Sequence, residues 1–90
     1  MIRRPHMEAW KRNEPFPLEA RVQVLITANP WRPDSDGHFF FNEVLSRKPT
    51  PKTVHEVIER GKAFGFSAAQ TNRHLRFVYA RRNVEIWIKP

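Results

Sequence analysis

The chain has 90 residues, 40% of them hydrophobic, with seven Phe and three Trp; that suffices for one small core and excludes a multidomain enzyme. Cysteine is absent, so neither disulfides nor thiolate-rich zinc sites supplement the core, which fits a reducing compartment. Sixteen Lys and Arg against nine Asp and Glu give +7, a balance that favours a polyanionic partner and excludes an acidic disordered tail.

The charge is uneven: residues 1–17 carry +2, residues 18–37 carry −1 and residues 38–90 carry +6. No apolar run is long enough to span a bilayer, and residues 1–14 lack the apolar stretch of a signal peptide despite Arg3 and Arg4. A cytoplasmic protein with no membrane partner is expected.

Residues 1–17 hold Pro5, Pro15 and Pro17 among charges and read as a flexible basic arm. Pro5 can open a short helix over 5–11, with Met7 and Trp10 sharing a face. Residues 18–90 form the domain. From 18 to 28, Ala20, Val22, Val24 and Ile26 alternate with Arg21, Gln23, Leu25 and Thr27, the period of a half-buried strand. Asn29-Pro30-Trp31-Arg32-Pro33-Asp34 ends it, since two prolines forbid both ladder and helix.

Asp34 or Ser35 then caps a helix predicted over 36–47, with Phe40, Phe41, Val44 and Leu45 on one face and Phe39 and Glu43 elsewhere. After the break at Pro49-Thr50-Pro51-Lys52, Thr53 with Glu56 three residues on announces a second helix by the reciprocal capping pattern. Its core stripe is Val54, Val57, Ile58 and Gly61, and Glu56 and Arg60 form an outer i,i+4 pair. Gly65 closes it with a positive φ, Phe64 and Phe66 plugging the core on either side.

Ser67 caps a third helix predicted over 68–81, whose apolar stripe is Ala68, Thr71, Leu75, Val78 and Tyr79. Its other face is Ala69, Gln70, Arg73, Phe77 and Ala80, flanked by Arg76 and Arg81. Val84, Ile86 and Ile88 alternate with Glu85, Trp87 and Lys89 in a final strand. Neither strand is stable alone, so the two are expected to pair antiparallel on the helices. Val22, Val24 and Ile26 then lie beside Val84, Ile86 and Ile88 within, and Leu25 and Trp87 lie outside under Met7, Trp10 or Phe16 of the arm.

The second and third helices, joined at Gly65, resemble a helix-turn-helix, and with the terminal strands residues 18–89 resemble the winged-helix superfamily of DNA-binding domains. The matching residues are Gly61, Phe64, Gly65, Phe66 and Ser67 at the turn, with Leu75 and Val78 at the winged-helix spacing. Thr71 stands where the family is more apolar. Only one strand follows the third helix, so the wing hairpin is missing or reduced to Arg81-Arg82-Asn83. Asn29-Pro30-Trp31-Arg32-Pro33-Asp34-Ser35 and Thr53-Val54-His55-Glu56 also resemble segments of small phage and prophage proteins.

The resemblance implies an α+β fold, three helices with a two-stranded antiparallel sheet, and a DNA-binding regulator of phage or mobile-element origin, acting as a dimer. The third helix would enter the major groove with Ala69, Gln70 and Arg73 as readers and Asn72 at the margin. Ser67 and the amides behind it suit a phosphate, while Arg76, Arg81, Arg82, Lys52 and Lys48 would hold the DNA backbone. The competing expectation is a protein-interaction module, an inhibitor or adaptor that grips a host protein through Phe77, Phe39, Trp31 or Trp87. Phe77 lies opposite Leu75 on the wheel, so it is either covered by another segment or exposed among Arg73, Arg76 and Arg81.

Catalysis is not expected. His6, His38, His55 and His74 show no metal spacing, and no Cys or HExxH joins them. Each reads as a surface or boundary residue, His55 with Glu59 as an exposed pair. No GxSxG, phosphate-binding glycine loop or carboxylate cluster is present, and no cofactor or metal is expected.

Overall fold

Three hydroxyl side chains set where the helices start. Ser35 Oγ accepts from His38 N at 3.0 Å, Thr53 Oγ1 from Glu56 N at 3.2 Å, and Ser67 Oγ from Gln70 N at 3.1 Å, each satisfying an amide that the first helical turn leaves unpaired. In the computed structural model, which describes residues 15–88, these caps open α1 (Asp36–Phe40), α2 (Val54–Ala63) and α3 (Ala68–Ala80). Two strands, β1 (Arg21–Val24) and β2 (Val84–Trp87), flank them in sequence. They pair antiparallel with Val22 opposite Ile86 and Val24 opposite Val84. The fold is α+β, three helices and a two-stranded antiparallel sheet.

β1 is shorter than the alternation from 18 to 28 predicts. Ala20 N bonds back to Pro17 O at 3.1 Å, making a turn before the strand, and Leu18 is exposed. On its second edge β1 takes up the segment before α2: Val22 N donates to Lys52 O and Val54 N to Ala20 O, both at 2.9 Å. The sheet face carrying Ala20, Val22, Val84 and Ile86 is buried. Ile88, expected within, is exposed because it lies one residue beyond the ladder.

The first helix does not run regularly to residue 47. After Phe40 it widens to a π-helical turn over Phe41–Leu45, closed by Ser46 N donating to Phe41 O at 2.8 Å. Phe40, Phe41, Val44 and Leu45 all face the core there. In α2 the expected stripe of Val54, Val57, Ile58 and Gly61 is buried.

The Glu56 and Arg60 pair does not form. Glu56 Oε1 accepts from Lys52 N, completing the cap one residue earlier than the usual pattern. Arg60 turns instead to the π turn and the loop after it, and donates to Val44 O, Arg47 O and Pro49 O at 3.1, 2.8 and 2.6 Å. His55 and Glu59 do not pair either, since Glu59 meets Lys62 at 3.4 Å.

Both long helices end in the same hydrogen-bonded motif. Gly65 N bonds to Lys62 O and Phe66 N to Gly61 O, with Gly65 at φ 92°. After α3, Arg82 N bonds to Tyr79 O and Asn83 N to Val78 O, with Arg82 at φ 59°. A non-glycine side chain in this left-handed position costs roughly 1–2 kcal/mol.

Residues 1–14, with the expected helix over 5–11 and the covering roles of Met7 and Trp10, lie outside the described residues, as do Lys89 and Pro90. Phe16, expected over Leu25 and Trp87, is instead core, only 2% exposed. It stands edge-on to Tyr79, with ring centroids 5.7 Å apart.

Candidate functional site

α3 divides its residues between a core and an outer side. Thr71, Leu75, Val78 and Tyr79 are buried, whereas Ala68, Ala69, Gln70, Arg73, Ala80 and Arg81 are exposed. Ala68, expected in the core stripe, sits outside; the inner position one turn on belongs to Asn72, only 7% exposed. Its Oδ1 accepts from Phe16 N at 2.9 Å and its Nδ2 donates to Ala68 O at 3.0 Å. Asn72 is therefore a clasp between α3 and residue 16, with both its carboxamide oxygen and its nitrogen engaged inside the fold. Gln70 is exposed, but its Oε1 accepts from Ser67 N at 2.7 Å, so it closes the capping box rather than standing free.

Ala69 and Arg73 keep the outward placement that the spacing predicts. With Pro15, Ala68, Asn72 and Arg76 they line an open groove of about 430 Å³ along the N-terminal part of α3. Arg81 and Arg82 extend the cationic surface past the helix end, both exposed. Among the described residues no carboxylate pairs with Arg73, Arg81 or Arg82, whereas Arg47 is paired with Glu43 at 2.7 Å. Lys52 lines a different groove, with Arg21, Gln23, Thr50 and Trp87 beside the sheet. Lys48 is exposed in the loop before α2.

Phe77 is covered, by a residue that helical periodicity cannot connect to it. Asn29 Oδ1 accepts from Trp31 N at 3.0 Å and its Nδ2 donates to His38 O at 2.8 Å, tying the proline-rich loop to α1. The indole lies directly over Gly37, where a Cβ would overlap it. From there it stacks on Phe77 at 4.6 Å between centroids, and the Arg81 guanidinium carbon stands 3.7 Å from the centre of the Phe77 ring. Phe77 and Trp31 are both half-buried against the core. As anchors for a partner they are already engaged with each other.

The stack continues inward through His74. Trp31 and Phe66 stand edge-on to the imidazole at 5.7 and 5.5 Å, and Phe40 lies tilted against it at 4.8 Å. Nδ1 of His74 is buried without a hydrogen-bond partner. Burial holds its pKa below the ordinary histidine value; Asp36 opposes that shift and Arg73 adds to it. At the far end of the cluster the rings reach solvent. Phe39 and Phe64 meet edge-on at 5.4 Å and are 44% and 40% exposed, so Phe64 does not plug the core as its place beside Gly65 suggests. Trp87 is partly covered beside the sheet.

Among the described residues no group of His, Asp and Glu is placed to hold a metal ion, and no helix is long and apolar enough to cross a membrane. Comparison with protein-family models, curated proteins and solved structures finds no match to the chain.

Proposed function

We propose that the chain is a small sequence-specific DNA-binding protein, a transcriptional regulator of phage or mobile-element origin, which places α3 in the major groove. The observation that carries this reading is the division of α3. A rigid core side is locked by Leu75, Val78 and Tyr79, and a small-residue and cationic side, Ala69 and Arg73, continues into Arg81 and Arg82. Short side chains at the start of a helix let its backbone approach base edges, and an outward Arg offers the two donors that match guanine. The α2–α3 pair, closed at Gly65, acts as a helix-turn-helix in a winged-helix-like domain, with Arg76, Arg81 and Arg82 on phosphates. One short helix gives limited specificity, so the active form is a dimer on paired half-sites.

Arg82 is exposed just beyond the helix end. Its left-handed backbone, which Gly or Asn would take at lower cost, follows from the capping bonds at the end of α3. Arg73→Ala should cost about 1–3 kcal/mol on the preferred sequence and relax discrimination at one base pair, whereas Arg81→Ala should weaken all sequences alike. Equal effects of the two on every duplex would overturn the assignment of Arg73 as reader.

A second reading, a protein-interaction module acting as inhibitor or adaptor of a host protein, draws on the exposed Phe39 and Phe64 edge. Exposed aromatics in contact can serve as an anchor for a partner's apolar side chain. Here tight binding to a host protein would be lost in Phe39→Ala and would not depend on Arg73.

A further inference from the structure

β1 is paired along the whole of one edge and along only part of the other. Leu25 N donates to Asn83 O at 2.9 Å, so, with Gln23 opposite Glu85 and Arg21 opposite Trp87, the odd-numbered residues bond to β2. The backbone groups of Val22 and Val24 therefore point to the other side. There Val22 N donates to Lys52 O, and Arg21 bridges to Thr53, which makes the segment before α2 the stub of a third, antiparallel strand. Continued in that register, the stub would bring residue 50 opposite Val24. It does not continue, since Pro51 has no N–H for a ladder, and neither Val24 N nor Val24 O has a hydrogen-bond partner among the described residues. Between Val24 and Thr50 lies a groove of about 400 Å³, walled by Pro51, Lys52, Arg21 and Trp87.

The walls of this groove are cationic. Arg21 is half-buried and Lys52 exposed, and among the described residues no carboxylate pairs with either. Glu85 lies on β2 and does not line the groove. Arg21 and Gln23 alternate with the buried Val22, so they stand on the outward face of the sheet, where a strand added beside β1 would place every second side chain.

We propose that the free edge of β1 binds an extended acidic peptide segment of a partner protein, which continues the stub as a third strand. Its backbone exchanges two hydrogen bonds with Val24, and its carboxylates meet Arg21 and Lys52. A donor and an acceptor side by side on a strand edge match a peptide backbone, whereas a phosphate chain offers acceptors only and leaves Val24 O unmet. A second copy of this chain would bring the same cations to the edge, and like charges across paired strands are destabilising. The site shares no residue with the α3 groove and goes beyond the DNA-binding reading.

The test is amide hydrogen exchange of the full-length chain, read by nuclear magnetic resonance during titration with four probes. These are a blocked peptide alternating Glu and Thr, its counterpart alternating Lys and Thr, the acidic peptide with an N-methylated backbone, and a single-stranded oligonucleotide of equal charge. The acidic peptide should slow exchange at Val24 on the order of tenfold at saturation. Its affinity should fall about two- to fivefold in Arg21→Gln and in Lys52→Gln and stay unchanged in Arg73→Ala; the basic and N-methylated peptides should not bind. Absence of binding by the acidic peptide to the parent chain overturns the proposal, as does binding that leaves Val24 exchange unchanged or that both Gln variants retain in full. Equal protection of Val24 by the oligonucleotide overturns it in favour of a nucleic-acid surface. None of these failures touches the α3 reading, which duplex binding and Arg73→Ala test separately.

Discussion

Trp31 stacks on Phe77 with ring centroids 4.6 Å apart and planes inclined by 23°. This contact decides what the middle of the basic surface presents. Without it an apolar ring would stand among Arg73, Arg76 and Arg81; with it, Phe77 becomes the floor on which the Arg81 guanidinium rests at 3.7 Å. The loop from Asn29 to Ser35 is thereby part of the architecture of α3.

Trp31→Ala should destabilise the fold by about 2–3 kcal/mol, somewhat less than a fully buried Trp because the indole is half-exposed. Gly37→Ala should act in the same direction by about 1–3 kcal/mol, since the added methyl overlaps the indole and forces it from the stack. Urea unfolding followed by near-ultraviolet circular dichroism checks both. Unchanged midpoints would mean that the loop is not packed as described.

Acid should loosen the same cluster. The His74 pKa is held down in the fold, chiefly by burial among Phe40, Phe66 and Trp31, with Asp36 opposing and Arg73 assisting. The unfolded chain therefore takes up a proton more readily than the folded one. This contribution to stability is complete above the unfolded histidine pKa of about 6.5 and falls as the pH drops below it. His74→Phe keeps a ring in place and removes the titrating group, so it should flatten the fall of the thermal midpoint between about pH 6.5 and 5. A slope in the variant equal to the parent's would assign the acid sensitivity to other groups.

Arg82→Gly should separate folding from function. Removing a side chain from the left-handed position at the end of α3 should relieve strain and stabilise the protein by about 1 kcal/mol, less the loss from greater chain entropy when unfolded. The same substitution removes a cation from the surface beyond α3 and should weaken DNA binding uniformly across sequences. Denaturant midpoints and binding isotherms on one preparation check the pair. Loss of stability with full affinity would contradict both halves.

Asn72 and Arg73 adjoin in sequence and are expected to fail differently. Asn72→Ala strands the amide of buried Phe16 and should cost about 1–3 kcal/mol of stability. Arg73→Ala, at an exposed position, should change stability by no more than about 0.5 kcal/mol while weakening DNA binding. Thermal denaturation in parallel with binding distinguishes them.

The contrast between those neighbours shows what a sequence can disclose. Ser35, Thr53, Ser67 and Gly65 are legible because a cap or a left-handed turn is satisfied within a few residues, and the strand pair follows from alternation in two short apolar runs. The outward Ala69 and Arg73 follow from the 3.6-residue period. Asn72 is not legible, because its partner is Phe16, 56 residues earlier, and a polar residue beside a reader position looks like another reader. Trp31 is hidden because a segment with prolines on both sides has no period to read; only the close approach to Gly37 reveals its seat. Arg60 misleads for a related reason: Glu56 lies one turn away, but three backbone carbonyls, those of Val44 in the π turn and of Arg47 and Pro49 after it, offer more bonds.

The most direct test is the binding of the full-length protein to random duplex DNA as salt is raised. Three phosphate contacts from Arg76, Arg81 and Arg82 should give a slope of log K against log salt of about −3. Binding that is absent at low salt, or that scarcely changes as salt is raised, would contradict a nucleic-acid role for α3 and turn attention to the Phe39–Phe64 edge.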